Sequence, residues 1–286
     1  MAVIAQTVLI MSAIAGILAL ALTLANLYIA NYGECKIIIN NDKELVVDGG
    51  GTLLSTLNEQ ELYLPSACGG KGTCGLCTCQ ILEGGGPVLP TETPFFTKEE
   101  LDDNMRLSCQ VKVKQDMKLG IPEDLLNAKK YEAKVEFIKD ETNTIKLLRF
   151  KITDGQEIEF KAGQYVQLLA PPYPGNPESV YRAYSIASSA LEKDAIELII
   201  GYVEEGLVTT YVHQHLSKGD EVSFNGPFGD FYLHDSDAEI IMVAIGTGIA
   251  PIRSILYQMK DQQIQRKATF FFGARTQKDL VCSDEM

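Results

Sequence analysis

Basic residues are scarce in this sequence. It has 25 Lys and Arg against 38 Asp and Glu, which gives its 286 residues a formal net charge of −13. Nucleic-acid binding needs a basic face to meet the phosphate backbone, so this balance argues against a nucleic-acid partner. A solvated acidic surface explains the charge, and a specific basic partner is the alternative interpretation.

Charge of either sign is absent from residues 1–33. Thr7–Ala30 is an unbroken run of 24 apolar or small residues. As a helix it would be about 36 Å long, enough to cross a hydrocarbon core of about 30 Å with some tilt. A signal peptide is the alternative, but no Lys or Arg precedes the run, and the run is long for a signal sequence. We predict a single membrane anchor over residues 1–33. Its orientation is not readable, because basic residues are scarce on both flanks.

The cysteines do not suit a disulfide framework. Their number, seven, is odd, and three lie within Cys74–Cys79, which favours metal ligation in a reducing compartment. Cys68, Cys74, Cys77 and Cys109 have the spacing C-x5-C-x2-C-x31-C. Four thiolates of this kind are what a 2Fe–2S cluster requires, two for each iron. Zinc is the competing interpretation, but zinc sites usually take two close cysteine pairs, whereas Cys109 stands alone.

Glycines surround the three clustered ligands, at positions 69, 70, 72 and 75. They would let the backbone wrap closely and direct N–H groups at the sulfurs. Cys79 lies two residues beyond a ligand, and we expect it to point away from the cluster. We interpret Cys79, Cys35 and Cys282 as buried small hydrophobic residues.

The remaining pattern divides the chain into three parts, with no internal repeat. Residues 34–122 read as a small, mostly β ferredoxin-like (β-grasp) unit with strands at Lys36–Asn40, Glu44–Val47 and Leu107–Val113 and a helix at Thr52–Asn58. After a polar connector, 123–130, residues 131–233 contain six short strands that suggest an antiparallel barrel. Residues 234–286 begin with a buried strand, a glycine turn, a helix and a second strand, which together form one βαβ unit of an α/β nucleotide-binding domain.

Arg182-Ala183-Tyr184-Ser185, or R-x-Y-S, resembles the flavin signature of the ferredoxin–NADP reductase superfamily. Gly163-Gln164-Tyr165, Gly206–Thr210 and Gly226-Pro227-Phe228-Gly229 supply its context. The resemblance implies that Arg182 pairs with the FAD pyrophosphate, where a planar fork suits phosphate oxygens. It assigns catalytic roles to Tyr184, against the isoalloxazine ring, and to Ser185, near its reactive nitrogen. Gly206, Leu207, Val208 and Thr209 would open a helix whose N-terminus faces the flavin phosphates.

Gly246-Thr247-Gly248-Ile249-Ala250-Pro251 has Pro251 where the usual dinucleotide fingerprint has a third glycine. It resembles the form in the same superfamily, and implies contacts of Gly246, Thr247, Gly248 and Pro251 with the nucleotide pyrophosphate. Gly273 and Arg275, in Phe272-Gly273-Ala274-Arg275, would lie near the adenosine ribose. No acidic residue marks a choice between NADH and NADPH.

The whole order of anchor, ferredoxin, flavin barrel and nucleotide unit resembles the F subunits of sodium-translocating NADH:quinone oxidoreductases. That family implies electron transfer from NADH through FAD to a 2Fe–2S cluster and on to a membrane acceptor, with other membrane subunits as partners and quinone reached indirectly. We expect the anchor in the inner membrane, and the cluster chemistry, which needs a reducing compartment, places the remaining domains in the cytoplasm. A tethered reductase of an oxygenase system and an electron carrier without NADH oxidation are the alternatives.

Two departures from the family bear on these expectations. Only about twenty residues separate Gly163 from Arg182, without the long insertion associated with that family. The Cys-Gly-Pro segment of the nucleotide domain and its terminal aromatic residue do not occur before Met286. We therefore expect a fragment of a longer protein, with a degenerate paralogue as the alternative. On this interpretation NADH would reduce the flavin slowly, and the strand at Ala268–Phe272 would expose a bare edge.

Overall fold

The structure, a computed structural model, describes residues 2–28 and 32–282. The last residues of the predicted anchor and of the chain therefore lie outside the described residues. The described part divides into two units. The first comprises Met1–Gln60 and Thr78–Ile121, and the second comprises Glu61–Cys77 and Pro122–Met286. The segment that carries Cys68, Cys74 and Cys77 thus belongs with the second unit, which the sequence did not predict.

The uncharged N-terminal run forms a single helix, α1 (Ala2–Tyr28). Its stretch Gln6–Leu24 has a mean hydropathy of 2.4, and none of it is buried against the rest of the protein. The hydroxyl of Thr23 donates to the Ala19 carbonyl at 2.8 Å, so this polar group is satisfied within the helix. Length and composition make α1 a candidate membrane span, as predicted.

The first unit contains a five-stranded mixed sheet in the order β2-β1-β5-β3-β4. Its strands are β1 (Glu34–Ile39), β2 (Lys43–Asp48), β3 (Thr78–Glu83), β4 (Met105–Leu107) and β5 (Met117–Gly120). Helix α2 (Leu53–Glu59) begins at Thr52, whose hydroxyl accepts from the Ser55 N–H at 3.1 Å. Leu53 and Leu57 of α2 are fully buried with Ile37 and Leu119 of the sheet. A short helix, α3 (Lys98–Asp102), precedes β4.

One strand prediction in this unit was wrong. We expected a strand over Leu107–Val113, but β4 ends at Leu107 and the chain turns at once. The Leu107 carbonyl accepts from the Gln110 N–H at 2.8 Å, while the Ser108 and Val111 carbonyls accept from the first N–H groups of α2. The alternating apolar residues of this stretch therefore lie in a turn, and carbonyls of this turn satisfy the first N–H groups of α2. The short β5 was not predicted.

Six antiparallel strands form a barrel in the second unit, in the order β10-β7-β6-β11-β8-β9. They are β6 (Lys129–Asp140), β7 (Ile145–Ile152), β8 (Tyr165–Ala170), β9 (Val180–Ser185), β10 (Ala195–Gly201) and β11 (Glu221–Phe228). A bridge between Ile186, just after β9, and Leu198 of β10 joins the two outer strands of this order. Phe150, Phe224 and Leu148 are fully buried in its core. All six predicted strands are confirmed.

Two short helices accompany the barrel. Helix α4 (Glu123–Leu126) occupies the predicted connector before β6. Helix α5 (Leu207–Thr210) lies between β10 and β11 and begins at Gly206, where the sequence predicts a helix start. The barrel thus has a helix N-terminus next to it, in the position that a bound phosphate could use.

The predicted βαβ unit is also confirmed. Strand β12 (Ile240–Ile245) leads through a single 3-10 turn, Gly246–Gly248, into helix α6 (Ile249–Asp261), and β13 (Ala268–Gly273) pairs parallel to β12. Helix α6 is attached to the barrel by buried polar contacts. Arg253 donates to the Ala187 carbonyl at 2.9 Å and to Glu197 at 2.6 Å, and the Ser254 hydroxyl donates to the Ser188 carbonyl at 2.8 Å.

Candidate functional site

The segment with three of the predicted ligands is a loop with a strongly curled backbone. Gly69, Gly70, Gly72 and Gly75 all have positive φ, at 66°, 82°, 71° and 72°. Side chains with a Cβ rarely adopt this region, so glycine is favoured at each turn of the loop. The loop therefore has the curvature that its glycines predict.

The Cys68 sulfur has the surroundings of a thiolate. Burial alone would raise its pKa, but hydrogen bonds from the Thr73 backbone, from the Cys74 and Thr73 side chains and from the Lys71 backbone outweigh burial and lower the pKa to about 6. Donors aimed at sulfur favour the charged form that a metal ligand must have. This environment fits the donor set of an iron–sulfur cluster.

The four predicted ligands divide between the two units. Cys68, Cys74 and Cys77 lie in the loop of the second unit, and Cys77 is buried. Cys109 lies in the first unit, buried in the turn after β4. Among the described residues, no group of three or more His, Cys, Asp or Glu side chains is arranged to hold a metal ion. The assignment of these four cysteines to one cluster therefore stays a prediction.

The other three cysteines are buried, as predicted. Cys79 is completely inaccessible, and burial raises its pKa to about 12. Cys35 is 1% exposed, and burial raises its pKa as well. Cys282, near the end of the described residues, is 4% exposed. Cys35, Cys79 and Cys282 therefore pack as small apolar residues.

A buried ion pair next to the Cys109 turn was not predicted. Arg106 in β4 donates through Nε and Nη2 to Glu92, at 2.9 Å and 2.7 Å, and both side chains are almost fully buried. The same guanidinium donates to the carbonyls of Gly85, Gly86 and Pro87. Burial would raise the pKa of Glu92, but the bonds from Arg106 and from two backbone N–H groups hold that pKa below its usual value.

The R-x-Y-S motif lies on β9, whose side chains are all half-buried. Tyr184 packs on the barrel core, and burial raises its pKa. Ser185 lies opposite Tyr165 of β8. Arg182 donates through Nη1 to the Tyr181 carbonyl at 2.7 Å. A Cβ at Gly69 would clash with the same Nη1, so the motif arginine also touches the cysteine loop.

The glycine turn predicted to face the flavin phosphates precedes α5. No side chain caps the first N–H groups of this helix, which leaves them available to a phosphate. A Cβ at Gly206 would clash with the Thr209 hydroxyl, so the turn requires glycine. Val208 is buried and Leu207 is half-buried; the Leu207 carbonyl accepts from the Tyr173 hydroxyl at 2.8 Å.

A wide helical turn, Tyr211–His215, continues α5 and carries two histidines. His215 is exposed. His213 is half-buried, and its Nε2 lies 3.1 Å from the Ile200 carbonyl. Burial lowers the pKa of His213. His213 therefore contacts the backbone at the end of β10.

The predicted nucleotide residues cluster at the carboxyl ends of two parallel strands. Gly246, Thr247 and Gly248 follow β12, Pro251 lies in the first turn of α6, and Gly273 ends β13 with Arg275 exposed beyond it. Gly246 has a φ of 55°, which allows the tight turn. The carboxyl edge of a parallel sheet is where nucleotides bind in open α/β folds.

Three family descriptions match the chain. Residues 37–114 match the 2Fe-2S iron-sulfur cluster binding domain, 132–232 the oxidoreductase FAD-binding domain and 242–286 the oxidoreductase NAD-binding domain. The F subunit of the Na(+)-translocating NADH-quinone reductase of Neisseria meningitidis is 35% identical over 300 residues, covering 92% of this chain and 74% of the relative. That of Pseudomonas aeruginosa is 35% identical over 305 residues, covering 94% and 74%.

Solved structures share the fold. A cytochrome P450 reductase of Amycolatopsis superposes with a TM-score of 0.67 at 25% identity, covering 88% of this chain and 75% of the other. A ferredoxin reductase in carbazole 1,9a-dioxygenase superposes with a TM-score of 0.63 at 21% identity, covering 87% and 77%.

Proposed function

This chain belongs to the family of Na(+)-translocating NADH-quinone reductase F subunits, and from that premise we propose how its residues perform the electron transfer of such a protein. The chain is an NADH-dependent oxidoreductase that passes electrons through FAD to a 2Fe–2S cluster. The observation that carries this conclusion is that a curled cysteine loop and an R-x-Y-S barrel strand occur in one unit of one chain.

Cys68, Cys74, Cys77 and Cys109 are the proposed cluster ligands. Their spacing, the curled loop and the low pKa of Cys68 support this set. The cluster, when bound, accepts one electron at a time. Backbone N–H groups of the loop would stabilise its sulfurs and raise its reduction potential.

Arg182 and the N–H groups after Gly206 are the proposed contacts of the FAD phosphates, and Tyr184 and Ser185 those of the flavin ring. FAD held by these residues would supply both two-electron and one-electron chemistry, which couples a hydride donor to a one-electron acceptor. The burial of Tyr184 raises its pKa and so keeps its hydroxyl protonated. Gly246–Gly248, Pro251, Gly273 and Arg275 are the proposed NADH contacts. We also propose quinone as the indirect acceptor.

The chain is membrane-associated and works with other subunits of its complex. We propose that α1 crosses the inner membrane once and that both soluble units lie on the cytoplasmic side. NADH is a cytoplasmic reductant, and free thiols that ligate iron require a reducing compartment. The acidic surface, with a net charge of −13, supports the absence of a nucleic-acid partner.

Service as the reductase of an oxygenase is the second candidate, because the fold is shared with a cytochrome P450 reductase. The identity of 35% to F subunits over most of the chain favours the first candidate. Co-purification from native membranes separates the two, since an F subunit would be recovered with membrane subunits and a quinone reductase activity.

An anaerobic NADH titration of the reconstituted chain tests the proposal. We expect slow flavin bleaching during the titration, then a rhombic low-temperature EPR signal, with two irons per chain. In Cys109→Ser the EPR signal should be lost or weakened while flavin bleaching persists, because the cluster loses a ligand and the barrel is untouched. Cys79→Ser is the matched control and should keep the signal. One zinc per chain without iron would rule out the cluster.

A further inference from the structure

Two polar side chains on the outside of the barrel are almost completely buried. Val166 and Leu168 of β8 face the barrel core, so Gln167 between them faces outward. Asn225 of β11 lies directly opposite Gln167 in the ladder. Gln167 is only 3% exposed and Asn225 1%. An outward-facing amide on a barrel is normally solvated, so this pair must be covered by another part of the unit.

The cover is the segment Glu61–Cys77, the loop that carries three predicted cluster ligands. The Ser66 N–H donates to Gln167 Oε1 at 2.8 Å, and Gln167 Nε2 donates to the Leu64 carbonyl at 3.3 Å. Gln167 Nε2 also donates to Asn225 Oδ1 at 2.9 Å. The amide of Gln167 thus binds the loop backbone in the way a neighbouring strand would, and Asn225 fixes the orientation of the amide.

Ser66, which Gln167 binds, in turn holds the two residues that follow Cys68. Its hydroxyl accepts from the Gly70 N–H at 2.9 Å, and its carbonyl accepts from the Gly69 N–H at 3.2 Å. Gly69 in turn fits against Arg182 and the Tyr181 carbonyl with no room for a Cβ. Both sides of Cys68 are therefore tied to the barrel, one through Gln167 and the other through β9.

An apolar contact beside the amide pair completes the attachment. Tyr63 of the segment is buried against Ala128 and Phe228 of the barrel. Hydrogen bonds between the buried amides and the loop backbone fix one position of the loop along the barrel, whereas apolar contact alone would allow the loop to slide. The barrel therefore presents a site with a defined register for the cysteine loop.

We propose that Gln167, oriented by Asn225, is a positioning residue that holds the cluster-ligand loop on the flavin barrel and so sets the rate of flavin-to-cluster electron transfer. This inference rests on the proposed function. In each step the reduced flavin loses one electron and the oxidised cluster gains it. The cluster must pass this electron to the membrane acceptor before the second step, after which the flavin is oxidised and has released its proton to water. Because such a transfer depends steeply on distance, a loop that leaves its register slows the step without altering hydride transfer.

The first test measures the attachment without any turnover. In Gln167→Met, which keeps the side-chain volume but removes both bonds to the loop, the amides of Ser66, Gly69 and Gly70 should exchange with deuterium roughly tenfold faster or more. Gln156→Met is the matched control, because the partly exposed side chain of Gln156 bonds Asp154 and the Lys130 carbonyl, away from the loop. Its loop amides should exchange as in the unmodified chain. Equal exchange in Gln167→Met and Gln156→Met overturns the proposal.

The second test separates two rates in the reconstituted protein by flash photoreduction of the flavin, so that the slow hydride transfer expected from NADH does not limit either rate. Flavin bleaching should keep its rate in Gln167→Met, while reduction of the cluster slows about tenfold or more. If Gln167→Met loses FAD or iron, Asn225→Ala replaces it. This change removes the bond that orients Gln167 and a bond to Tyr181, but leaves the Ser66 contact. Slowing of about threefold is then expected. Unchanged cluster reduction in the variant that keeps its cofactors contradicts the inference. If the unmodified chain binds neither FAD nor iron, the proposed function is contradicted instead. The deuterium-exchange test then still decides whether Gln167 holds the loop.

Discussion

Arg182 meets two demands at the residue scale. The sequence motif assigns it to the FAD pyrophosphate, and the structure shows its guanidinium beside Gly69 of the cysteine loop and bonded to the Tyr181 carbonyl. A guanidinium has five donors in a planar fork, so one side can bond the backbone while the other remains available to phosphate. The two roles are therefore compatible in one side chain.

Arg182→Ala should weaken FAD binding by about one to two decades, because a charge-assisted hydrogen bond contributes roughly 1.5–3 kcal/mol. Flavin retention during gel filtration and titration of the apoprotein with FAD measure the loss. Arg266→Ala is the control, since Arg266 bonds the Ala238 and His234 carbonyls away from the motif. Equal FAD affinity in Arg182→Ala and Arg266→Ala would show that R-x-Y-S occurs here by coincidence.

At the element scale, the turn after β4 depends on a buried ion pair. Arg106 and Glu92 connect β4 to the preceding loop, and the pair lies just before the turn that carries Cys109. Removing one partner of such a pair leaves the other charge buried and uncompensated, which costs about 3–5 kcal/mol. The pair therefore fixes an element that has little secondary structure of its own.

Arg106→Met should lower the urea midpoint of the first unit strongly at pH 7, and the deficit should shrink as the pH falls. The folded pKa of Glu92 is below its unfolded value, so its contribution is present above the unfolded pKa and is lost as the pH falls through the folded pKa. In Arg106→Met the buried Glu92 has lost its cation, so its protonated, neutral form costs less free energy than its charged form, and acid pH relieves part of the deficit. A surface pair, Lys118–Glu83, supplies the control Lys118→Met, for which little change is expected at either pH. If the loss of stability in Arg106→Met does not change with pH, the loss comes from packing and not from the charge of Glu92.

The elements differed in how far the sequence could predict them. All six barrel strands were predictable because each is a short apolar-rich run, and several show an alternation of apolar and polar residues. The Leu107–Val113 stretch has the same alternation but forms a turn, since its carbonyls are used by the start of α2. Arg106 and Glu92 were missed because charged residues are normally solvated, and only the fold brings them together. Gln167 was missed for the same reason, because a lone polar residue in an alternating strand predicts an outer face.

At the scale of the whole molecule, the sequence predicted the order of modules but not the grouping of residues. The cysteine loop belongs by its motif to the ferredoxin part and by its contacts to the unit of the flavin barrel. Loop contacts of this kind join positions about a hundred residues apart, as between Ser66 and Gln167. No local pattern reports them, whereas the predicted cofactor motifs are all local.

Helix α1 is the candidate membrane span, so its role can be tested only on the whole molecule. Helix α1 has no charged residue, and its 27 residues span about 40 Å, more than a hydrocarbon core of about 30 Å. The full chain, expressed in bacteria, should remain in the membrane fraction after an alkaline carbonate wash, whereas a variant starting at Tyr32 should be soluble and keep its FAD and iron. Leu18→Lys should reduce insertion, because a central charge costs about 2.5–3.5 kcal/mol, and Leu18→Ile should not. Release of the full chain by the wash, or retention of the shortened chain, would show that α1 does not span the membrane.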